Sequence, residues 1–290
     1  MGEPADPDPR PAAMKQPLFR RLLPPGGPVT VEEVIQGLRL RERAEGAAQR
    51  PYVMLNMVST VDGRASIGGR SGPLGGRGDR ELFHGLRGGV DAVMAGAGTV
   101  RAERYGRIIP EEARRRARLE RGLSEEPLAC IVSGRLSLPG DIPLLAEPAA
   151  RVLIVTPSAA SLPESAAHVD YLRAGRDGQL DLPLALADLR ERFAVGTVLC
   201  EGGPHLNSQL LVAGLVDELF LSLAPKLAGG QDPTGEALRI LAGAELDHPV
   251  ELTLLGALES ESHLFLRYAV DASAPERVSA ETMRKSSLAS

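Results

Sequence analysis

An alternation constrains this chain more than anything else in its sequence. Short Val, Ile and Leu runs are separated by segments of helical period, and two of the runs end in paired or near-paired glycines. Tyr52 to Ser59, Val90 to Ala95, Leu128 to Val132, Val152 to Thr156, Val198 to Cys200 and Val216 to Ala224 read as strands, with Ala167 to Leu172 as a further one. Near-continuous apolar runs of this length suit strands covered on both faces, as in parallel sheets. Helices are expected at Asp79 to Leu86, from Thr99 onward, at Glu111 to Arg121, at Leu184 to Phe193 and at Leu206 to Ala213. Asp79 stands near the expected N-cap of the first of these. Strands separated by helices imply an α/β fold, with a mixed, mostly parallel sheet and helices on both faces. Two late strands, Val250 to Ala257 and His263 to Val270, have no helix between them and predict an antiparallel C-terminal edge.

At 290 residues the length allows one large domain or two ordinary ones. No second core with its own boundary is visible, so one body over 50–270 is expected. Residues 1–49 read as an extension, with a clasp at Leu18 to Leu23, a short helix at Val31 to Leu40 and a polar linker at Glu42 to Arg50. Residues 271–290, rich in Ser, Ala and charge, read as a loose tail.

Charge and cysteine usage exclude several classes. A net charge of −5 offers no electrostatic footprint for nucleic acid. The run Arg114, Arg115, Arg116, Arg118, Arg121 interleaves with Glu111, Glu112 and Glu120 and reads as a solvated helix face. No apolar run approaches the roughly 20 residues of a membrane span, and Met1 to Pro11 lacks the pattern of a signal peptide. A cytoplasmic protein is the expectation. Cys130 and Cys200 each close a short apolar run and read as buried thiols. There is no zinc-deaminase signature, no helical His pair for a metal, no nucleophile elbow and no Walker loop.

Three segments carry the chemistry. In the first, a buried strand enters Gly96-Ala97-Gly98-Thr99 and a helix start. Without a Cβ, Gly96 and Gly98 let a phosphate or nicotinamide approach the backbone, and Thr99 can cap the helix or donate to a ligand. Arg101 stands where the Rossmann fingerprint requires its third glycine, so that fingerprint is absent. In the second, Val198 to Cys200 runs into Glu201-Gly202-Gly203-Pro204-His205, placing a carboxylate at the C-terminal end of a strand, where parallel sheets bind ligands. Glu201 fits a hydrogen-bond acceptor for a substrate N–H or O–H better than a phosphate contact. In the third, Asn56, Ser59 and Asp62-Gly63 precede a glycine-rich loop that contains Ser71 and could order over a ligand. Each has a plainer alternative: a tight turn, a solvent-facing Glu, a surface loop. Arg87 and Arg107 could each hold a phosphate, although most arginines are surface charges.

Taken together, Tyr52 to Asn56 with Ser59 and Asp62-Gly63, Asp91-Ala92-Val93 with Gly96 to Glu103, Glu201 to Pro204, and Gly214 to Leu219 through Ala224-Pro225 to Gly229-Gly230 resemble the reductase domain of bacterial riboflavin biosynthesis. The likeness spans roughly 50–270. It implies a dihydrofolate-reductase-like fold, NADPH as cofactor, a homodimer, and reduction of a ribosylaminopyrimidine 5′-phosphate to its ribityl product. It further implies cofactor contacts at Val58 or Ser59, Gly96, Gly98, Thr99, Glu103, Ser133 and Gly202, Gly203, Pro204 and His205. Arg135 is the candidate for the adenosine 2′-phosphate. Ser71, Arg87, Arg107 and Glu201 fall on the substrate side, and Glu201 and Asn56 at the catalytic centre. Many members carry Lys where this chain has Asn56, and Asn cannot carry a proton. The chain is similar to a stand-alone actinobacterial-type branch that shares this Asn. Reduction of dihydrofolate or a related pterin, and a non-catalytic nucleotide-binding module, remain alternatives.

Overall fold

The alternation resolves into an eleven-stranded mixed sheet in which a late strand enters between two early ones. The structure, a computed structural model, describes residues 18–271 except 48, 177, 231–237, 244, 245 and 247. The first 17 residues and the tail expected after Asp271 lie outside the described residues. The chain opens with β1 (Phe19–Leu23), β2 (Pro28–Val29), α1 (Val31–Gly37) and α2 (Leu40–Gly46). The body follows as β3 (Tyr52–Thr60), α3 (Arg77–Gly89), β4 (Ala92–Gly96), α4 (Ala97–Ala102), α5 (Glu112–Glu120), β5 (Leu128–Val132), β6 (Arg151–Thr156) and β7 (His168–Arg173). A small ribbon, β8 (Gly175–Arg176) and β9 (Gln179–Leu180), leads to α6 (Leu182–Phe193), β10 (Thr197–Cys200), α7 (Pro204–Val212), β11 (Glu218–Ala224), β12 (Leu252–Ser260) and β13 (His263–Val270).

The sheet order is β2-β1-β12-β13-β11-β3-β10-β4-β5-β6-β7. From β11 to β7 every pairing is parallel; from β13 outward every pairing is antiparallel. The decisive strand is β10. Late in sequence, it inserts between β3 and β4, with Cys200 opposite Leu55 on one side and Met94 on the other. The C-terminal ends of β4 and β10 therefore emerge side by side.

Alternation of side chains divides the core in two. Met54, Val93, Ala95 and Ile131 face the layer that carries Leu82 and Leu86 of α3 and Val100 of α4. Val53, Leu55, Met94 and Cys130 face Leu186 and Leu189 of α6 and Leu206 and Leu210 of α7. Helices thus cover both faces, as expected. A fully buried side chain such as Leu86 or Leu153 contributes about 1.5–3 kcal/mol by leaving water. Both cysteines are free and buried, and burial pushes each thiol up to about 12.

Four local expectations differ. The segment read as a polar linker contains α2, held by the Arg41–Glu45 pair at 3.4 Å and packed so that a Cβ on Gly196 would meet Ala44 at 2.9 Å. The clasp is a true strand: β1 extends the sheet by antiparallel pairing with β12. Helix α3 starts at Arg77, two residues earlier than expected, with Gly76 as N-cap and Asp79 in its first turn. Arg118 is buried rather than solvated. It donates to the carbonyls of Arg87, Gly88 and Val90, closing the C-terminal end of α3, and burial lowers its pKa to about 10.

Candidate active site

The two glycine turns touch. Gly96 N–H donates to Gly202 O at 2.7 Å, and Glu201 N–H donates to Met94 O at 2.9 Å. A Cβ on Gly203 would stand 2.8 Å from Thr99 Oγ1, and one on Gly96 would stand 3.3 Å from Gly203 N. Gly202 has φ +92°, a conformation that side chains rarely adopt. Glycine is therefore required here for close approach and for backbone shape.

Around these turns lies an open cleft of about 1780 Å³. That exceeds the roughly 300–1,000 Å³ of a pocket for one drug-sized ligand, so a dinucleotide and a substrate can share it. Its walls include Asn56, Val58, Ser71, Arg87, Gly96, Gly98, Thr99, Glu103, Ser133, Arg135, Glu201, Gly202, Gly203, Pro204 and His205. Ser59 is buried and does not line it, because alternation along β3 turns it to the face opposite Val58. Arg107 does not line it either. Its guanidinium pairs with Glu126 and lies near Glu125 and Glu147, a wall of carboxylates that leaves no open fork for a phosphate.

Glu201 and Arg87 form one unit rather than two separate contacts. Arg87 Nε and Nη2 each donate to a different oxygen of Glu201 at 2.7 Å, and Nη1 donates to Ile108 O at 3.0 Å. Only 9% of the Arg87 side chain and 4% of the Glu201 side chain are exposed. Burial alone would discourage the charge on Arg87. The opposite charge of Glu201 and its hydrogen bonds outweigh that, and the guanidinium is held above its ordinary value. Tyr105 Oη donates to Glu201 Oε2 at 2.6 Å, and burial together with that carboxylate pushes the phenol well up. The guanidinium lies 4.1 Å from the Phe83 ring centroid and 5.4 Å from that of Tyr105, within cation–π range. The result is a fixed acceptor at the mouth of β10.

Other expected residues are anchored in ways the sequence did not indicate. Glu103 accepts the Ser71 N–H at 2.7 Å, tying the glycine-rich loop to the end of α4. Lys226 Nζ donates to Pro73 O and Leu74 O, and Leu74 is fully buried, so the loop is pinned at three points. Asn56 lines the cleft, and among the described residues its side chain has no hydrogen-bond partner. Sequence reasoning missed Tyr105, Phe83, Asp79 and Asn207, which also line the cleft. The last is fully buried, taking the Cys200 S–H and donating to Ile240 O at 2.8 Å. The available signal was spacing: Asp79, Phe83 and Arg87 lie four residues apart on one face of α3.

Comparison with known proteins gives the family and the fold. Residues 51–259 match the model of the RibD C-terminal domain. A 2,5-diamino-6-ribosylamino-4(3H)-pyrimidinone 5′-phosphate reductase of Methanothermobacter thermautotrophicus is 31% identical over 187 residues, 63% of this chain and 82% of that protein. A pyrimidine reductase-like protein from Corynebacterium diphtheriae superposes with TM-score 0.65 at 24% identity, covering 83% of this chain and 99% of that one. The bifunctional deaminase/5-amino-6-(5-phosphoribosylamino)uracil reductase of Thermotoga maritima gives 0.61 at 23% identity, covering 77% of this chain and 58% of that one. These two likenesses show a shared fold, the mixed sheet of dihydrofolate-reductase-like type. From the match over most of its length, the chain belongs to the RibD C-terminal domain family.

Proposed function

We propose that this chain is an NADPH-dependent reductase that converts a ribosylaminopyrimidine 5′-phosphate to the ribitylamino product, acting as a homodimer. The observation that carries this reading is the contact between the turns, Gly96 N–H to Gly202 O, which makes one glycine-lined cradle from two strand ends. Such a cradle suits a pyrophosphate, because backbone N–H groups can reach it unhindered and α7 begins at its edge. Ser133 and Arg135 stand on the cleft wall beyond β5, where a guanidinium would meet an adenosine 2′-phosphate and favour NADPH over NADH. Val58 and Asn56, on the cleft side of β3, would lie beside the nicotinamide.

When bound, the cofactor supplies the hydride. The residues of the chain orient the partner. Glu201 accepts an N–H or O–H of the substrate, its carboxylate held still by Arg87 and Tyr105. Asn56 offers an amide to a hydroxyl, and Ser71 contributes a hydroxyl from the loop that covers the cleft. Fixed acceptors and donors of this kind lower the barrier by alignment.

The test is Glu201→Gln, assayed by NADPH oxidation with a ribosylaminopyrimidine 5′-phosphate and, in parallel, with dihydrofolate. Turnover is expected to fall while NADPH binding survives. The variant leaves Arg87 with a buried, unbalanced charge, a loss of about 3–5 kcal/mol of stability. Tyr105→Phe, which keeps the ion pair and removes only one donor, is the companion, expected to slow turnover less. Undiminished turnover in both would remove Glu201 from the mechanism. Oxidation driven by dihydrofolate alone would move the substrate to the pterins.

A further inference from the structure

The proposed reaction consumes a proton as well as a hydride, and the residues so far placed in the cleft do not supply it. Asn56 has none to give. Glu201 is an acceptor on both oxygens, from Arg87 and Tyr105, and is placed to take a donor of the substrate rather than to give a proton. Tyr105 commits its own proton to Glu201 and is pushed well above its ordinary value. Glu103 is turned to the Ser71 N–H. His205 stands exposed at the start of α7, on the cofactor turn.

One carboxyl in the cleft has only a hydroxyl against it and no ion pair among the described residues. Asp79 occupies the first turn of α3, on the row that continues through Phe83 to Arg87, and all three line the cleft. At about 1.5 Å per residue, Asp79 and Arg87 are about 12 Å apart along the helix, the scale of a ring with its sugar. The carboxyl lies beneath the glycine-rich loop, so close that a Cβ on Gly75 would overlap Oδ2. Asp79 has no ion pair among the described residues. The Ser222 hydroxyl of β11 faces it, and Ser222 is in register with Val58, two residues from Asn56 on the same face of β3. Its charged surroundings are sparse: Arg80 from α3, Lys226 after β11 and His263 from β13. His263 points elsewhere, toward Glu261 O and Leu74 O. Burial pushes the Asp79 carboxyl up, and Ser222 and the three cationic neighbours only partly oppose that.

We propose that Asp79 is the general acid of the cleft, carrying the proton that the reduced substrate takes up. The proposal rests on the reductase reading above. In the ring-opened substrate, C1′ is double-bonded to the amino nitrogen. C1′ gains a hydride from the nicotinamide cofactor, the π pair moves onto nitrogen, and nitrogen takes the proton as the Asp79 O–H bond breaks. The carboxylate left behind regains a proton from water at the open side of the cleft. One hydride and one proton enter, and the product is the secondary amine.

The experiment compares Asp79→Asn and Asp79→Glu with the wild-type chain in turnover, in nicotinamide-cofactor binding and in the ¹³C shift of the Asp79 carboxyl against pH. Removing a general acid is expected to lower kcat about 10²–10⁴-fold in Asp79→Asn, with cofactor affinity unchanged and partial rescue by Asp79→Glu. Wild-type kcat should decline as pH rises through the carboxyl's midpoint, and the residual rate of Asp79→Asn should be level across that range. The carboxyl resonance should titrate above the ordinary aspartate range. Near-wild-type kcat in Asp79→Asn, or an unaltered pH profile, overturns the assignment. If the wild-type chain leaves the ribosylaminopyrimidine phosphate unreduced, the reductase reading fails on its own account. The resonance then still decides the proton-holding role, and a midpoint in the ordinary aspartate range overturns it.

Discussion

At the scale of single residues, the cleft holds three carboxyls: Glu201 in an ion pair, Glu103 on a loop N–H, and Asp79 with no ion pair among the described residues. Glu201 is held in place by a bidentate partner and a phenol, whereas Asp79 is half-shielded with no ion pair among the described residues. Two carboxyls in such different surroundings suit two different tasks, orientation and proton transfer. The difference has a consequence for stability. Burial raises the Asp79 carboxyl in the folded chain above its value in the unfolded chain. The folded state then binds more protons than the unfolded state between those two values, so stability falls as pH rises through that window and stays lowered above it. Asp79→Asn removes the ionisation, so it should melt higher than the wild-type chain at pH 8, with the gap closing toward pH 4. A variant that melts lower by the same amount at every pH would make Asp79 a structural anchor of α3. Glu201, Thr99 and the glycines were legible in the sequence because glycine punctuates the ends of strands. Tyr105 was not, since its role depends on a hydrogen bond across 96 residues of chain. Arg107 was misplaced for the same kind of reason: the carboxylates that claim it come from Glu125, Glu126 and Glu147, further along the chain.

At the scale of elements, strand identity was legible wherever apolar runs were short and continuous, as at β4, β5, β6 and β10. Topology was less so. Nothing in the spacing shows that β10 enters between β3 and β4, yet that insertion brings the two turns together. The polar helix α2 escaped notice because helix propensity without an apolar stripe looks like a linker. The antiparallel end carries a feature of its own. Leu221 pairs with Leu266, Leu223 with Leu264 and Leu254 with Tyr268, and Leu252 and Leu254 are each 40% exposed. A half-covered apolar face on three neighbouring strands is the surface a second copy would use in the proposed homodimer. Light scattering should give twice the mass of the chain, and Leu254→Arg should shift it toward the monomer. A wild-type monomer would leave this face without a partner of its own kind.

At the scale of the whole molecule, the fold is a scaffold for one wide cleft at the C-terminal ends of the parallel strands. Every cofactor contact proposed here depends on the two glycine turns holding the same dinucleotide. The resemblance visible in the sequence reached the family and the fold, because its four segments occur in the order the sheet requires. Calorimetric titration of NADPH into the wild-type chain and into Gly203→Val tests the claim most directly. The account predicts a saturable site with one NADPH per chain, binding tighter than NADH. It also predicts an affinity at least about tenfold lower, or about 1.4 kcal/mol, when a branched side chain is forced between Gly203 and Thr99 in a variant that still melts cooperatively. No heat with either coenzyme, or full affinity in Gly203→Val, would contradict it.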